Sequence, residues 1–213
     1  FKADFLFSIN NYGNFQEGSY PLFYIINAYL NPFTSNQEEF LLSVAIVSFI
    51  VFIFFALLIN KNFQQVSKLD SILISSSILL LPFYRTSAYW GSNENFGWLF
   101  FILSIYFFLN VKNYKNIGKN RKILDTTLFC FFSACALYIR PSLVFLPITY
   151  LLYLLSDNKK KDFFVASILY FIFSIPGLIL IYKWGGLHDT NNWGSNYILD
   201  HHSYKHILKN IYL

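Results

Sequence analysis

The stretch TTLFCFFSACALYIRPSLVFLPITYLLYLL, residues 126–155, decides the fold, because it reads either as one membrane span or as two. Crossing a bilayer takes roughly 20 apolar residues. This run has thirty, with Arg140-Pro141 at its centre. As one kinked span it puts the basic stretch Lys112–Lys122 and the triplet Lys159–Lys161 on opposite faces of a membrane. As a hairpin, with segments 126–139 and 142–155, it puts both on the same face. Short cytoplasmic loops carry the excess of Lys and Arg, so the hairpin is the consistent reading. Lys61, Lys68, the five basic residues from Lys112 to Lys122 and Lys159–Lys161 then share the cytoplasmic face. These are ten of the sixteen Lys and Arg, accompanied by four acids. The outer face receives seven of the eleven acids and all four His.

The rest of the chain fits a membrane setting. Of 213 residues, 55% are hydrophobic, 22% aromatic and only 13% charged, with a mean hydropathy of +0.44. A soluble domain of this size needs more polar surface, and here the apolar residues gather in runs. Further membrane segments are expected at 38–60, 71–90, 96–111 and 163–182. Residues 1–37 read as an outer loop with an interfacial helix, Leu22–Leu30, opened by Pro21 and stopped by Pro32. Residues 183–213 read as an outer loop leading into another helix. Ser71–Phe83 is short of a crossing unless Tyr84–Trp90 lie in the interface, where Tyr and Trp are favoured and Arg85 can snorkel. The expected fold is all-α: a polytopic transmembrane bundle, one domain of about six spans. The chain holds no Met and opens on Phe1, so a piece of a longer protein is expected.

The hairpin also singles out Arg140. Arms of about 14 residues give roughly 21 Å of helix against a hydrocarbon core of about 30 Å. Arg140 is therefore expected in a recess below the outer surface, with no partner from the hairpin itself. A charge at that depth costs a few kcal/mol unless paired or solvated, which makes it a functional candidate. Arg85 and Lys183 are further cations at the same face, Arg85 with ordinary interfacial anchoring as its alternative role. Glu94 and Asn95 end an expected outer loop, Arg85–Asn95, and suit contact with a sugar hydroxyl. Glu94 suits equally the first turn of a helix, complementing its dipole. Trp90 and Tyr20 offer aromatic faces at the membrane boundary.

Other chemistries are weaker. His202 and His206 are spaced to share a helix face, but no His-Glu-x-x-His pattern accompanies them, so no metal site is expected among them. Cys130 and Cys135 lie inside an apolar run, where small buried thiols are ordinary. No Gly-rich phosphate loop is present, which speaks against direct use of nucleotides. The basic loops are topology signals, and nucleic acid is not an expected partner.

Three stretches carry a family resemblance: GNFQEGSYPLFY (Gly13–Tyr24), LLPFY (Leu80–Tyr84) followed by ENFGWLF (Glu94–Phe100), and ALYIRPSLVFLP (Ala136–Pro147). In these the chain resembles the GT-C superfamily of membrane glycosyltransferases, of family-39-like type. The resemblance implies transfer of a sugar from a polyprenyl- or dolichyl-phosphate donor to a lipid, glycan or protein acceptor on the extracytoplasmic face. It implies a catalytic Asp after the first transmembrane helix; Asp4, or an acid preceding Phe1, would fill that role. Arg140, with Arg85 and Lys183, would meet the donor phosphate, and Glu94, Asn95, Trp90 and Tyr20 the substrate. No cofactor is required, and a divalent metal stays open. The expected location is the inner membrane of a bacterium, or the endoplasmic reticulum of a eukaryote. The alternatives are a polymerase or ligase of lipid-linked glycans and a membrane transporter.

The topology makes a direct prediction. Single-cysteine variants at Ser92 and Thr190 should be labelled by an impermeant thiol reagent from outside, and one at Ile117 should not. Labelling of 117 with 92 protected would invert the whole map.

Overall fold

A computed structural model describes residues 4–11, 21–63, 65–113 and 119–183, and every regular element among them is helical. Two short helices, α1 (Phe5–Asn11) and α2 (Leu22–Tyr29), precede α3 (Gln37–Asn62), α4 (Lys68–Leu80), α5 (Pro82–Trp90), α6 (Glu94–Asn113) and α7 (Lys119–Ile139). A 3-10 turn, Pro141–Val144, leads into α8 (Phe145–Ser156), and α9 (Lys160–Lys183) follows. Four stretches among the described residues are long and apolar enough to cross a membrane: Gln37–Asn62, Glu94–Lys112, Arg121–Ile139 and Lys160–Leu180. Pro141–Ser156 is apolar but shorter.

Local chemistry sets the helix ends. The Asn36 side chain accepts the Glu39 N–H at 2.8 Å to start α3, with Glu38 and Glu39 at its positive end and Lys61 in its last turn. Ser67 caps α4 by accepting the Asp70 N–H at 3.1 Å, while its hydroxyl donates to the Asp70 carboxylate at 2.7 Å. The Ser67 hydroxyl thus serves the Asp70 backbone and side chain at once and fixes the first turn. α2 fills the interval between Pro21 and Pro32 as expected.

Three expectations need correction. Segment 71–90 is not one helix, because Leu81 is extended ahead of Pro82 and α5 restarts there. Proline disfavours helical backbone in the residue before it. The expected outer loop Arg85–Asn95 is also mostly helix: α5 runs to Trp90, and only the turn 91–93 separates it from α6. Gly91 makes that turn possible, with φ of 67° and room for no Cβ, since one would lie 2.9 Å from Leu41 Cδ2. Last, the hairpin arms are unequal. α7 begins at Lys119 rather than near Thr126, giving about 31 Å of helix, whereas α8 alone spans about 18 Å. Tertiary pairing sustains the longer arm, because Lys122 reaches across to Asp162 of α9. The recess of Arg140 therefore does not follow from two short arms.

The packing is that of helices sorted for an apolar solvent. Small residues sit inside: Ser71, Ser75, Ser104, Ser133, Ala136 and Ala166 are buried. Large ones face out, among them Leu42, Phe49, Leu57, Ile168 and Phe171. Small contact residues let helices approach closely where no hydrophobic effect drives them together. α6 and α7 form the most extensive interface, with Phe132 stacked against Phe100 and Phe107 at ring distances of 6.1 and 5.6 Å. α7, α8 and α9 close around Phe129, Cys130, Tyr150, Leu154 and Tyr170.

Polar contacts also cross between α7 and α9: Ser133 Oγ lies 2.8 Å from Tyr170 Oη, and a second contact sits at a helix defect. Pro176 lies inside α9, where it interrupts the helical hydrogen-bond ladder. The Tyr138 hydroxyl of α7 enters there, accepting the Gly177 N–H at 3.1 Å and donating to the Phe173 carbonyl at 2.5 Å. It thus stands between the two groups that would otherwise bond each other.

The two ends of the bundle differ in chemistry. At one, Lys61 donates to Tyr106 Oη at 2.8 Å, Lys122 pairs with Asp162, and Lys159 pairs with Asp157 at 2.7 Å. At the other lie the first turn of α6 and the turn between α7 and α8. The hairpin geometry is thus realised, with α7 and α9 starting together and α7 ending beside the start of α6.

Candidate functional site

Arg140 and Glu94, forty-six positions apart, meet at this second end: Arg140 Nη1 lies 2.9 Å from Glu94 Oε1. Each side builds its half locally. Arg140 is extended (φ −134°) because Pro141 follows it, which ends α7 and turns the side chain out of the helix path. Glu94 sits in the first turn of α6, where a carboxylate complements the dipole. Gly97, three residues on and so on the same face of α6, carries the Arg140 stem: a Cβ there would lie 2.9 Å from Arg140 Cγ. Head on Glu94 and stem on Gly97 leave the guanidinium little choice of direction.

A hydroxyl network holds Glu94 from behind. Ser92 donates to its second carboxylate oxygen. Ser92 Oγ also lies 2.9 Å from Ser87 Oγ of α5. Asn93 reaches the Ile139 carbonyl at 3.4 Å, tying the turn to the end of α7. The Arg140 and Glu94 side chains keep 41% and 26% of their surface exposed. A pair this open contributes only about 0–1 kcal/mol to stability. Its value is orientation, since a guanidinium with one nitrogen held by Glu94 keeps its remaining donors for an anion.

Below the pair lies a second polar layer. Asn95 is fully buried and donates to Ser48 Oγ at 2.6 Å and to the Tyr84 carbonyl at 3.1 Å. Tyr84 in turn donates to the Ser48 carbonyl at 2.6 Å. The network knits α3, α5 and α6 together under the site. Asn95, expected to touch substrate, thus has no exposed surface for a ligand and serves as a bolt between helices.

The other expected residues fall as follows. Asp4 caps α1, accepting the Phe7 N–H at 2.9 Å through one carboxylate oxygen. Arg85 and Trp90 are exposed on the outward face of α5, away from Glu94, because Tyr84 and Ser87 take the inward face. Tyr20 and the His-rich tail lie outside the described residues, as does the Lys183 side chain. Among the described residues no three His, Cys, Asp or Glu side chains converge as a metal site would require. Sequence reasoning missed Gly97, Ser92 and Ser87. The signal for Gly97 was present: an acid followed three positions later by a residue without a side chain is a groove on one helix face.

Compared with known proteins, the chain matches no family model, no curated protein and no solved structure.

Proposed function

We propose that this chain belongs to a multi-pass membrane glycosyltransferase of GT-C type, taking a sugar from a polyprenyl-phosphate donor at the face where Arg140 and Glu94 lie. One observation carries the proposal: two segments singled out separately for chemistry converge on a partly open ion pair. Transfer from a lipid phosphate needs a carboxylate to accept the acceptor's proton and a fixed cation for the departing phosphate. Arg140 supplies the cation and Glu94 aims it. Asp4 supplies the base. The site faces the extracytoplasmic side, by the distribution of Lys and Arg. The acceptor is a glycan, lipid or protein, and the membrane a bacterial inner membrane.

The test is transfer of labelled sugar by the purified protein from a polyprenyl-phosphate donor. Asp4→Asn is the informative variant within it, because Asn caps a helix as well as Asp and removes only the basicity. Lost transfer with the donor still bound would make Asp4 the base. Normal transfer would place the base elsewhere.

An ion-coupled transporter is favoured by one feature, the two breaks at Leu81-Pro82 and Arg140-Pro141, since transporters use discontinuous helices at their sites. Flux of a solute across proteoliposomes, without sugar transfer, would support it instead.

A further inference from the structure

Arg85 does not share the Glu94–Arg140 site, and its own surroundings are built differently. It lines an open cleft of about 680 Å³ between the outward face of α5 and Ala45 of α3, together with Pro82, Thr86, Tyr89 and Trp90. Ala45 is the small residue that opens the floor. Trp90 and Tyr89 are both 71% exposed and pack edge to face at 5.2 Å. The Thr86 hydroxyl is turned back onto the Pro82 carbonyl at 2.8 Å, so it does not occupy Arg85. No described carboxylate pairs with Arg85, whereas Arg140, Lys122 and Lys159 each have one. Phe49, one helical turn beyond Ala45 on α3, is an exposed large apolar side chain.

We infer that this cleft binds the headgroup of an anionic membrane phospholipid. A guanidinium near the hydrocarbon boundary needs a counter-charge or water, and here none of the described carboxylates provides the counter-charge. A phosphate diester accepts two parallel N–H bonds from the fork. Indole and phenol rings belong at headgroup depth. Exposed Phe49, on the same face of α3 as Ala45, offers apolar surface to acyl chains. An amphipath with an anionic head satisfies all three features, and a soluble anion satisfies only the first. The site is independent of the transferase proposal.

Native mass spectrometry of the full chain, titrated with phosphatidylglycerol or phosphatidylcholine, tests it. The wild-type protein should retain phosphatidylglycerol in preference. Arg85→Gln should weaken that lipid about tenfold, the scale of one charge-assisted hydrogen bond, and leave phosphatidylcholine unchanged. Arg85→Lys should recover part of the loss by keeping the charge. Equal retention of the two lipids by the wild type would overturn the inference without reference to any variant. So would undiminished phosphatidylglycerol binding by Arg85→Gln, or loss on Arg140→Gln in its place. Displacement of the lipid by glycerol phosphate, which has no chains, would show a soluble-anion site and equally overturn it.

Discussion

Arg140→Ala should lower sugar transfer by a factor on the order of 10²–10³, the usual cost of removing one preorganised donor to a developing charge. The carrier phosphate gains charge as the glycosidic bond breaks, so the contact strengthens toward the transition state and the loss should appear in kcat. Arg140→Lys should recover part of the rate, keeping charge without the fork. The structure adds an arm that removes no polar group. Gly97→Ala sets a methyl carbon 2.9 Å from Arg140 Cγ, which displaces the stem and swings the guanidinium off Glu94. It should slow transfer while leaving the protein inserted and folded. Glu94→Gln should weaken transfer less than Arg140→Ala, and the double variant should resemble Arg140→Ala alone, since Glu94 acts only through Arg140. Normal turnover by purified Arg140→Ala would remove Arg140 from the chemistry and leave the pair as an inter-helix contact.

The largest expected effect on stability lies far from the site, at Gly177. A Cβ there would stand 2.5 Å from Tyr138 Cε1 and 3.1 Å from its hydroxyl. These atoms belong to a ring held at both ends by α7 and α9, so the strain has no easy outlet. Gly177→Ala should destabilise the protein by about 1–3 kcal/mol, the usual cost of overpacking. It also prises the Tyr138 hydroxyl from the Gly177 N–H and the Phe173 carbonyl, in surroundings with little water to replace it. Tyr138→Phe should cost less, about 1 kcal/mol, because the freed N–H and carbonyl can bond each other once the hydroxyl is gone. In a Tyr138→Ala background the Gly177→Ala penalty should nearly vanish, since the clash has lost its other half. Reversible unfolding in mixed micelles would measure the four variants against the wild type. Equal penalties in the two backgrounds would mean that the methyl clashes with something other than Tyr138.

What the sequence determined by itself is what depends on local composition and period. Apolar runs of sufficient length became the long helices α3, α6, α7 and α9, because a helix in an apolar solvent satisfies its own backbone and needs only greasy side chains. Arg140-Pro141 became a reversal because proline disfavours helix in the residue before it. Asn36, Ser67 and Pro21 started helices through bonds or angles within a few residues. The tertiary structure decided whatever depends on residues distant in the chain. Lys119–Asp125 reads as loop by its polarity, and becomes the first turns of α7 because Asp162 on another helix meets Lys122. The requirement for a bare face at Gly177 is set by Tyr138 on another helix, and no pattern around Gly177 announces it. Arg140 and Glu94 were each legible as candidates, but their pairing was not. A charge in a sequence shows that a partner is needed, and the partner's identity depends on which helix ends the packing of α6 against α7 brings together.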